Sequence, residues 1–244
     1  MATTTAQSQG WSLLFEDEIS EFHDEELTWE AGGELVPTWL QGRYIKNGPA
    51  QLKFPNQTRF FTNWMDGWAK LHSFTFNGPE VKFSGKMLES PLYKASLAAG
   101  DLVPSTTLSG LTPSEWSMKD KLDIAGMFAS QTAFDNDNVL PVKLGEEYFA
   151  ATDWPTITYF DPESLDTLEV VHPKQISIGQ CAHWITEPGT LNKLNFQLHL
   201  GVLGTSFHFY RWRPGDLYTV RILHLLHESQ YFLTGTRGDC SLHT

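Results

Sequence analysis

Short runs of alternating apolar and polar residues, separated by turn sequences, constrain the fold more than any other feature of this sequence. In LHSFTFNGPEVKFSG (71–85) the side chains alternate between two faces, and the Asn-Gly pair is a strong signal for a tight hairpin turn. The segment TITYFDPESLDTLEVV (156–171) repeats this form around an Asp-Pro turn, and another hairpin is predicted from Leu198 to Tyr210. This rhythm predicts an all-β fold, either a β-propeller or a β-sandwich.

The sequence lacks the motifs that are typical of several functional classes. The chain shows no alternating βαβ units, Gly-rich phosphate loop, nucleophile elbow or His-Glu-x-x-His zinc motif. The formal net charge of -12 argues against nucleic acid as a partner, because binding to phosphates depends on Lys and Arg. Nucleotide chemistry, serine hydrolysis and nucleic-acid binding are therefore not expected.

Two segments depart from the hairpin rhythm. Residues 1–34 are polar, with acidic residues concentrated in 15–30, and are interpreted as an acidic approach segment that forms a solvated face or a loosely held arm. The organised domain is predicted to span residues 35–244, with an irregular insertion at about 91–132.

No export or membrane-spanning sequence is recognisable. The two cysteines, Cys181 and Cys240, match no zinc or redox spacing, which favours a reducing compartment over a disulfide-stabilised secreted protein. The N-terminal sequence MATTTAQSQGWSLLFEDE lacks a basic region followed by a long apolar run. A cytoplasmic location is therefore predicted.

One histidine, in the segment GQCAHWITEPGT (179–190), is a candidate metal ligand on its local sequence. His183 follows an apolar run and precedes a Glu-Pro-Gly turn, and no ligand partner follows it closely. This pattern leaves two interpretations open. His183 is either a core histidine with one hydrogen-bonded ring nitrogen, or a metal ligand whose partner ligands lie far away in the sequence.

Five blocks of the sequence together resemble the carotenoid cleavage oxygenase family, in particular its animal branch of carotenoid oxygenases and the retinoid isomerohydrolase. They occur in the order of that family and cover most of residues 36–192. The blocks are PTWLQGRYIKNGPA (37–50), WMDGWAKLHSFTFNGPEVKFSGKMLESPLYK (64–94), DNDNVLPVKLGEEYFAATD (135–153), FDPESLDTLEVV (160–171) and CAHW (181–184).

The resemblance implies a β-propeller with a small helical and loop-rich cap over one end. It also implies a non-haem Fe(II) cofactor, held on the propeller axis by four histidines from separate blades, with carboxylates hydrogen-bonded around them. In such enzymes the iron uses dioxygen to cleave a conjugated polyene, a carotenoid or apocarotenoid, or acts as a Lewis acid on a retinyl ester in the isomerohydrolase. The implied partners are an apolar polyene substrate and dioxygen.

Two residues match positions of that site. His183 stands where the family has its first iron ligand, in an Ala-His motif, so the resemblance favours the metal ligand over the core histidine. Asp153, in ATDW, matches a glutamate among the carboxylates that surround the ligands, although its side chain is one methylene shorter. A turn-capping role for Asp153 is an open alternative.

The remaining histidines of interest are interpreted as structural or are assigned no role. His243 lies at roughly the expected distance for a second ligand, but its neighbours do not match the family, and it is not assigned to the site. The others are His72, His199, His208, His224 and His227.

The insertion contains the segment KLDIAGMFASQTAF, whose apolar side chains extend over 122–134. In the family this region carries an apolar insertion that dips into membranes at the mouth of the substrate tunnel. Peripheral membrane contact through 122–134 and a cap helix packed inward are both open.

Members of the family are considerably longer than 244 residues, so the chain is expected to form an incomplete propeller, as a fragment, a splice form or a gene-model error. Because one imidazole does not hold Fe(II) with useful affinity, the isolated chain is expected to be catalytically inactive. The alternative is a non-catalytic protein that binds an apolar carotenoid or retinoid, or a protein partner, without the metal.

Overall fold

The computed structural model describes residues 16–28, 36–55, 59, 61, 63–105, 116–172, 177–201, 204–215, 233–236 and 239–242. Within these residues the chain forms three antiparallel four-stranded sheets, one after another along the sequence, and a separate two-stranded sheet. The predicted all-β class is therefore confirmed.

The first sheet confirms the hairpin predicted at 71–85. Phe74 lies opposite Phe83 in this hairpin. Gly78 closes the turn at φ +61, where an added Cβ would lie 3.2 Å from the backbone of Thr38, so this position requires glycine. The sheet has the order β1-β4-β3-β2 and comprises β1 (Phe22–Glu26), β2 (Gln41–Gln51), β3 (Trp68–Asn77) and β4 (Glu80–Met87).

The second and third sheets confirm the other two predicted hairpins, which are the pairs β7–β8 and β11–β12. The second sheet contains, in chain order, β5 (Leu140–Leu144), β6 (Glu147–Ala151), β7 (Ile157–Phe160) and β8 (Thr167–Val171). The third contains β9 (Ser177–Gln180), β10 (Ile185–Thr186), β11 (Lys193–Gly201) and β12 (Gly204–Trp212), and the two-stranded sheet contains β13 (Leu233–Thr236) and β14 (Asp239–Leu242).

The insertion contains two helices, α1 (Pro91–Ala99) and α2 (Met118–Ala129). The side chain of Ser90 caps α1 by accepting a hydrogen bond from the backbone of Tyr93, and α2 begins at a capping box between Ser117 and Asp120. Ile124 and Met127 of α2 pack against a core cluster that includes Trp68 of β3. The insertion therefore forms a small helical cap on the first sheet.

The opposite side of α2 is open. Met118 is 73% exposed and Leu122 is 67% exposed. Among the helices that the structure describes, none is long and apolar enough to span a bilayer.

Apolar clusters join neighbouring sheets. Ala69 and Leu71 of the first sheet pack with Phe160 of the second, and Phe149 of the second sheet packs with Trp184 and residues of the third. Complete burial of such side chains stabilises the fold by roughly 1.5–3 kcal/mol each. The second sheet is therefore packed on both of its faces.

The described part of the acidic approach segment is attached to the first sheet. The side chains of β1 are all exposed, as a solvated face predicts, but its backbone pairs with β4. The carboxylate of Asp17 accepts hydrogen bonds from the backbone N–H groups of Leu52 and Lys53, at 2.8 and 2.9 Å, and the buried Nζ of Lys70 donates to the carbonyl of Ser20 at 2.6 Å. The prediction of a loosely held arm is wrong for these residues, because backbone pairing at an open sheet edge needs no apolar periodicity.

Candidate metal centre

The Ala-His segment forms a bulge in an edge strand of the third sheet. Strands β9 and β10 pair with the same edge of β11, with Gln180 opposite Gln197 and Ile185 opposite Leu194. Residues 181–184 therefore lie opposite only two residues of β11. A bulge of this kind redirects a side chain from the regular strand pattern and is common beside functional sites.

Hydrogen bonds from two directions hold this bulge. The carboxylate Oδ1 of Asp153 accepts a hydrogen bond from the backbone N–H of Ala182 at 3.0 Å. From the other side, the Nδ2 of Asn195, which is 8% exposed, donates to the carbonyl of Cys181 at 2.9 Å. Cys181 and Ala182 are therefore tied to two different neighbouring elements, which fixes the path of the backbone directly before His183.

Gln180 of β9, in the third sheet, supports the loop that carries Asp153. The backbone N–H of Gln180 donates to the carbonyl of Asp153 at 2.8 Å. The Nε2 of Gln180 donates to the carbonyls of Thr152 and Thr156, at 3.1 and 3.3 Å. The loop between β6 and β7 is thus bound to β9, and the bulge lies where the second and third sheets meet.

The imidazole of His183 is exposed between two buried neighbours. Ala182 is 0% exposed and Trp184 is 9% exposed, and Trp184 belongs to the cluster between the second and third sheets. The alternation directs His183 away from that cluster. The interpretation of His183 as a core histidine is therefore wrong.

The described side-chain contact of Asp153 is with the backbone next to His183. Asp153 is exposed, and its described carboxylate contact is with the amide of Ala182, one residue before His183. This contact agrees with the alternative of a turn-capping aspartate. This contact restrains the backbone one residue before His183.

The residues at the bulge fit one position in a metal coordination shell. An exposed imidazole on a fixed backbone suits a divalent first-row metal such as Fe(II). Within the described ranges, no group of three His, Cys, Asp or Glu side chains is arranged to hold a metal ion. Among the described residues, His183 is thus a single candidate ligand.

Three other histidines, His72, His199 and His208, are packed into the sheets, as was predicted for His72. His72 stacks on Phe83 with ring centroids 5.9 Å apart, and burial lowers its pKa to about 4. His199 and His208 stack at 4.0 Å on the face of the third sheet that lies toward the second. His224, His227 and His243 lie outside the described residues.

The buried pair is also hydrogen-bonded. The Nε2 of His199 lies 2.7 Å from the hydroxyl of Tyr210, and the Nε2 of His208 lies 2.9 Å from the hydroxyl of Ser206. Burial, with a smaller contribution from His208, lowers the pKa of His199 to about 4. These imidazoles are already engaged inside the fold, which distinguishes them from His183.

Sequence reasoning assigned no role to the segment Asp-Asn-Asp-Asn at 135–138, which is almost fully buried. The carboxylate of Asp135 accepts hydrogen bonds from the hydroxyl of Ser90 at 2.6 Å and the N–H of Leu92 at 2.9 Å, at the start of α1. Asn136 accepts from the N–H of Ala69 at 2.9 Å. This segment therefore binds the helical cap to the first sheet.

The second half of this segment extends the connection to the second sheet. The two carboxylate oxygens of Asp137 accept hydrogen bonds from the hydroxyls of Thr156 and Thr158, at 2.9 and 2.8 Å. The Nδ2 of Asn138 donates to the carbonyls of Met65 and Gly67, at 2.7 and 2.9 Å. Complete burial raises the pKa of Asp137 well above its usual range. A run of four polar residues directly after an aromatic residue was the available sequence signal.

Comparisons with known proteins agree on the family. A family model described as retinal pigment epithelial membrane protein matches residues 16–232. A beta,beta-carotene 15,15'-dioxygenase of Gallus gallus is 34% identical over 163 residues, which cover 65% of this chain and 30% of the relative. A carotenoid isomerooxygenase of Galleria mellonella is 31% identical over 161 residues, with the same two coverages. The chain thus spans 30% of the length of these two curated relatives.

Solved structures agree on the fold. A mutant of the Synechocystis apocarotenoid oxygenase matches with a TM-score of 0.69 at 17% identity, over 91% of this chain and 46% of that chain. A chimera of that oxygenase with RPE65 matches with a TM-score of 0.64 at 18% identity, over 88% and 43%. These neighbours are β-propellers, so the predicted partial β-propeller is confirmed. The chain belongs to the retinal pigment epithelial membrane protein family, which is the carotenoid oxygenase family that its sequence blocks resemble.

Proposed function

We propose that this chain supplies part of the scaffold and one iron ligand, His183, of an Fe(II)-dependent enzyme that cleaves a conjugated polyene with dioxygen. The observation that carries the proposal is the exposed imidazole on a hydrogen-bonded bulge, at the position of the Ala-His motif. The names of the relatives, a beta-carotene dioxygenase and a carotenoid isomerooxygenase, support the polyene as substrate class.

Fe(II) with open coordination positions supplies the activation of dioxygen in such a site. The residues of this chain contribute the ligand and its placement. Asp153 and Asn195 fix the backbone of Ala182 and Cys181, the two residues before His183, so this part of the bulge is held in place before any metal binds. Preorganised ligands of this kind reduce the entropy that metal binding costs.

One imidazole alone binds Fe(II) weakly, and the described residues offer no group of three ligands. We therefore expect negligible polyene cleavage by the 244-residue chain by itself. The proposal is therefore tested by detecting Fe(II) binding at residues 181–184, because this measurement does not require enzymatic turnover.

Paramagnetic broadening of amide signals tests this contact, because it detects even weak Fe(II) binding. Anaerobic titration with Fe(II) is expected to broaden the amide signals of residues 181–184 in the parent chain, and this broadening is expected to disappear in His183→Ala. His23→Ala is the matched control, because His23 is also an exposed histidine on an edge strand. Unchanged broadening at 181–184 in His183→Ala would contradict the proposal.

The alternative function is binding of an apolar carotenoid or retinoid without metal. Exposed aromatic side chains favour it, because Trp39 is 76% exposed and Trp64 is 53% exposed. Saturable quenching of tryptophan fluorescence by a retinoid, at one equivalent and in metal-free buffer, together with no Fe(II) effect at 181–184, would favour this alternative over the iron proposal.

We also propose that α2 provides peripheral membrane contact through 122–134. Leu122 is 67% exposed, whereas Phe128 packs edge-on against Trp154 with ring centroids 4.9 Å apart. Substitution of Leu122 by Asp is therefore the selective test, and Leu168→Asp is its control, since Leu168 is 65% exposed on β8. Flotation with liposomes is expected to decrease only for Leu122→Asp, and equal flotation of both variants and the parent would rule out this contact. The cytoplasmic location stays a prediction.

A further inference from the structure

A small cavity, which we call the cap cavity, lies between the helical cap and the first sheet. It leaves about 10 Å³ for the centre of a water molecule, which is room for one water. Trp68 of β3 lines the cavity from the sheet, Leu92 of α1 lines it from the cap, and Asp135 lines it from the segment 135–138. All of the lining residues belong to the described part of the chain, so they define the walls of the cavity.

Aromatic contacts hold the indole ring of Trp68 at the wall of the cap cavity. The ring centroids of Phe61 and Tyr93 each lie 5.6 Å from that of Trp68. Tyr93 is in turn held by its hydroxyl, which donates a hydrogen bond to the Oε1 of Gln51 at 3.1 Å. Close packing of this kind leaves the indole little freedom to turn its Nε1–H elsewhere.

The Nε1–H of Trp68 has no acceptor among the described residues, although Trp68 is only 2% exposed. An indole N–H is a donor only, and a buried one is normally hydrogen-bonded to protein or to an ordered water molecule. A ligand that fits the cap cavity therefore carries an acceptor atom.

The polar part of the wall calls for a donor as well. Asp135 is 1% exposed; its Oδ1 accepts a hydrogen bond from the hydroxyl of Ser90 at 2.6 Å, and its Oδ2 accepts one from the N–H of Leu92 at 2.9 Å. Each carboxylate oxygen has a second lone pair for a further hydrogen bond. Burial raises the pKa of Asp135, and a further donor stabilises its charged form.

We propose that the cap cavity binds one water molecule, which accepts the hydrogen bond of the Trp68 indole and donates one to the carboxylate of Asp135. Water has the right size and is both donor and acceptor. A bare metal ion offers the indole no acceptor, and an anion would lie against the carboxylates of Asp66 and Asp135, which both line the cavity. An apolar ligand would leave the buried indole donor unsatisfied.

The water links the first sheet to the helical cap. Asp135 binds the start of α1 directly, through Ser90 and Leu92, and the water extends this contact to Trp68 of β3. A chain of hydrogen bonds then crosses a core cluster that consists largely of apolar side chains. Buried waters with such partners are part of the structure and are costly to remove. This inference does not rest on the iron proposal.

Magnetisation transfer from water to the indole proton of Trp68 tests the site by NMR, because a buried water stays beside that proton long enough to give a direct cross peak. The parent chain, in metal-free buffer with a chelator, is expected to show this peak in the rotating frame, where its sign distinguishes direct transfer from proton exchange. Trp39, which is 76% exposed, is the internal comparison. Its indole is expected to show no such peak, because water at an exposed site leaves quickly.

A matched pair of substitutions at Ser105, which lines the cavity and is 4% exposed, shows whether the water lies there. Ser105→Val fills the space and is expected to abolish the cross peak. Ser105→Ala leaves the space open and is expected to retain the peak, which excludes transfer through the serine hydroxyl. No peak in the parent, a peak that requires added Mg²⁺ or Ca²⁺, its persistence in Ser105→Val or its loss in Ser105→Ala would each overturn the proposal. Ser105→Thr, which adds one methyl group, replaces Ser105→Val if that variant loses the circular dichroism spectrum of the parent.

Discussion

The segment 135–138 and the bulge 181–184 are both short irregular connections between sheets, and they are built in opposite ways. In the segment 135–138 the polar side chains are buried and bind the backbone and hydroxyls of distant elements. In the bulge the backbone is bound by side chains from elsewhere, and the polar side chain of His183 is left exposed. The buried side chains of 135–138 therefore help to specify the fold, whereas the bulge leaves the imidazole of His183 exposed to solvent.

The largest effect that follows from this contrast concerns Asp137. Asp137→Ala leaves the buried hydroxyls of Thr156 and Thr158 without their acceptor, so we expect the free energy of unfolding to fall by about 4 kcal/mol. Chemical denaturation measures it. Asp123→Ala is the control, because this exposed aspartate forms an ion pair with Lys119 on the same helix, and a change below about 0.5 kcal/mol is expected. Equal effects of the two substitutions would show that the buried segment 135–138 does not stabilise the fold through Asp137.

The sequence predicted the hairpins because their determinants are local. The Asn-Gly turn after β3 and the turn that follows Asp161 lie within the segments that they connect, and the Asp161 carboxylate accepts hydrogen bonds from the two amides of Glu163 and Ser164. The segment 135–138 has no such local signal. Its partners at Ala69 and Leu92 lie 67 and 43 residues away, so its sequence resembles that of a loop until the fold places those partners around it.

The candidate site was predictable only in part, for the same reason. Resemblance placed His183 and Asp153 at the site, but the bulge depends on the register of β9 and β10 against β11, which no local pattern contains. Asn195 was missed for this reason, since its contact with Cys181 exists only in that register. The acidic strand β1 was missed because its attachment is made by backbone pairing with β4.

An effect of intermediate size is expected in the pH dependence of stability, where a buried histidine is compared with an exposed one. Burial lowers the pKa of His199 from 6.5 to about 4, so between these values the unfolded chain binds a proton that the folded chain does not. The free energy of unfolding therefore falls as pH decreases through this window, and His199→Gln is expected to remove on the order of 2 kcal/mol of that decrease. Denaturation at pH 7 and pH 4 measures the difference.

His183→Gln is the matched control for this measurement, because it makes the same substitution at an exposed histidine. If the parent and His199→Gln lose equal stability between pH 7 and pH 4, then His199 is not held neutral by the fold, and the distinction between the two histidines fails.

A smaller and local effect is expected at Asp153. Asp153→Ala removes the acceptor of the Ala182 amide, and because the site is exposed, water replaces part of that contact, so we expect a loss of about 1 kcal/mol. Hydrogen exchange is expected to accelerate at Ala182 but not at Gln180, whose partner is the backbone carbonyl of residue 153. Asp153→Asn retains an acceptor oxygen and should restore the protection at Ala182. Equal acceleration at both amides would show that Asp153 supports the whole loop instead of the bulge.

The smallest effect on stability is expected at His183 itself. Its side chain is exposed between buried neighbours, so His183→Ala is expected to change the free energy of unfolding by less than about 0.5 kcal/mol while abolishing the Fe(II) effect at 181–184. For a residue that stabilises the fold, such as Asp137, substitution is instead expected to lower the free energy of unfolding strongly. Thermal and chemical denaturation of His183→Ala, recorded without metal, measure the first quantity. A loss of several kcal/mol would place His183 with the buried polar residues, and its exposed position on the bulge would then need another explanation than ligand display.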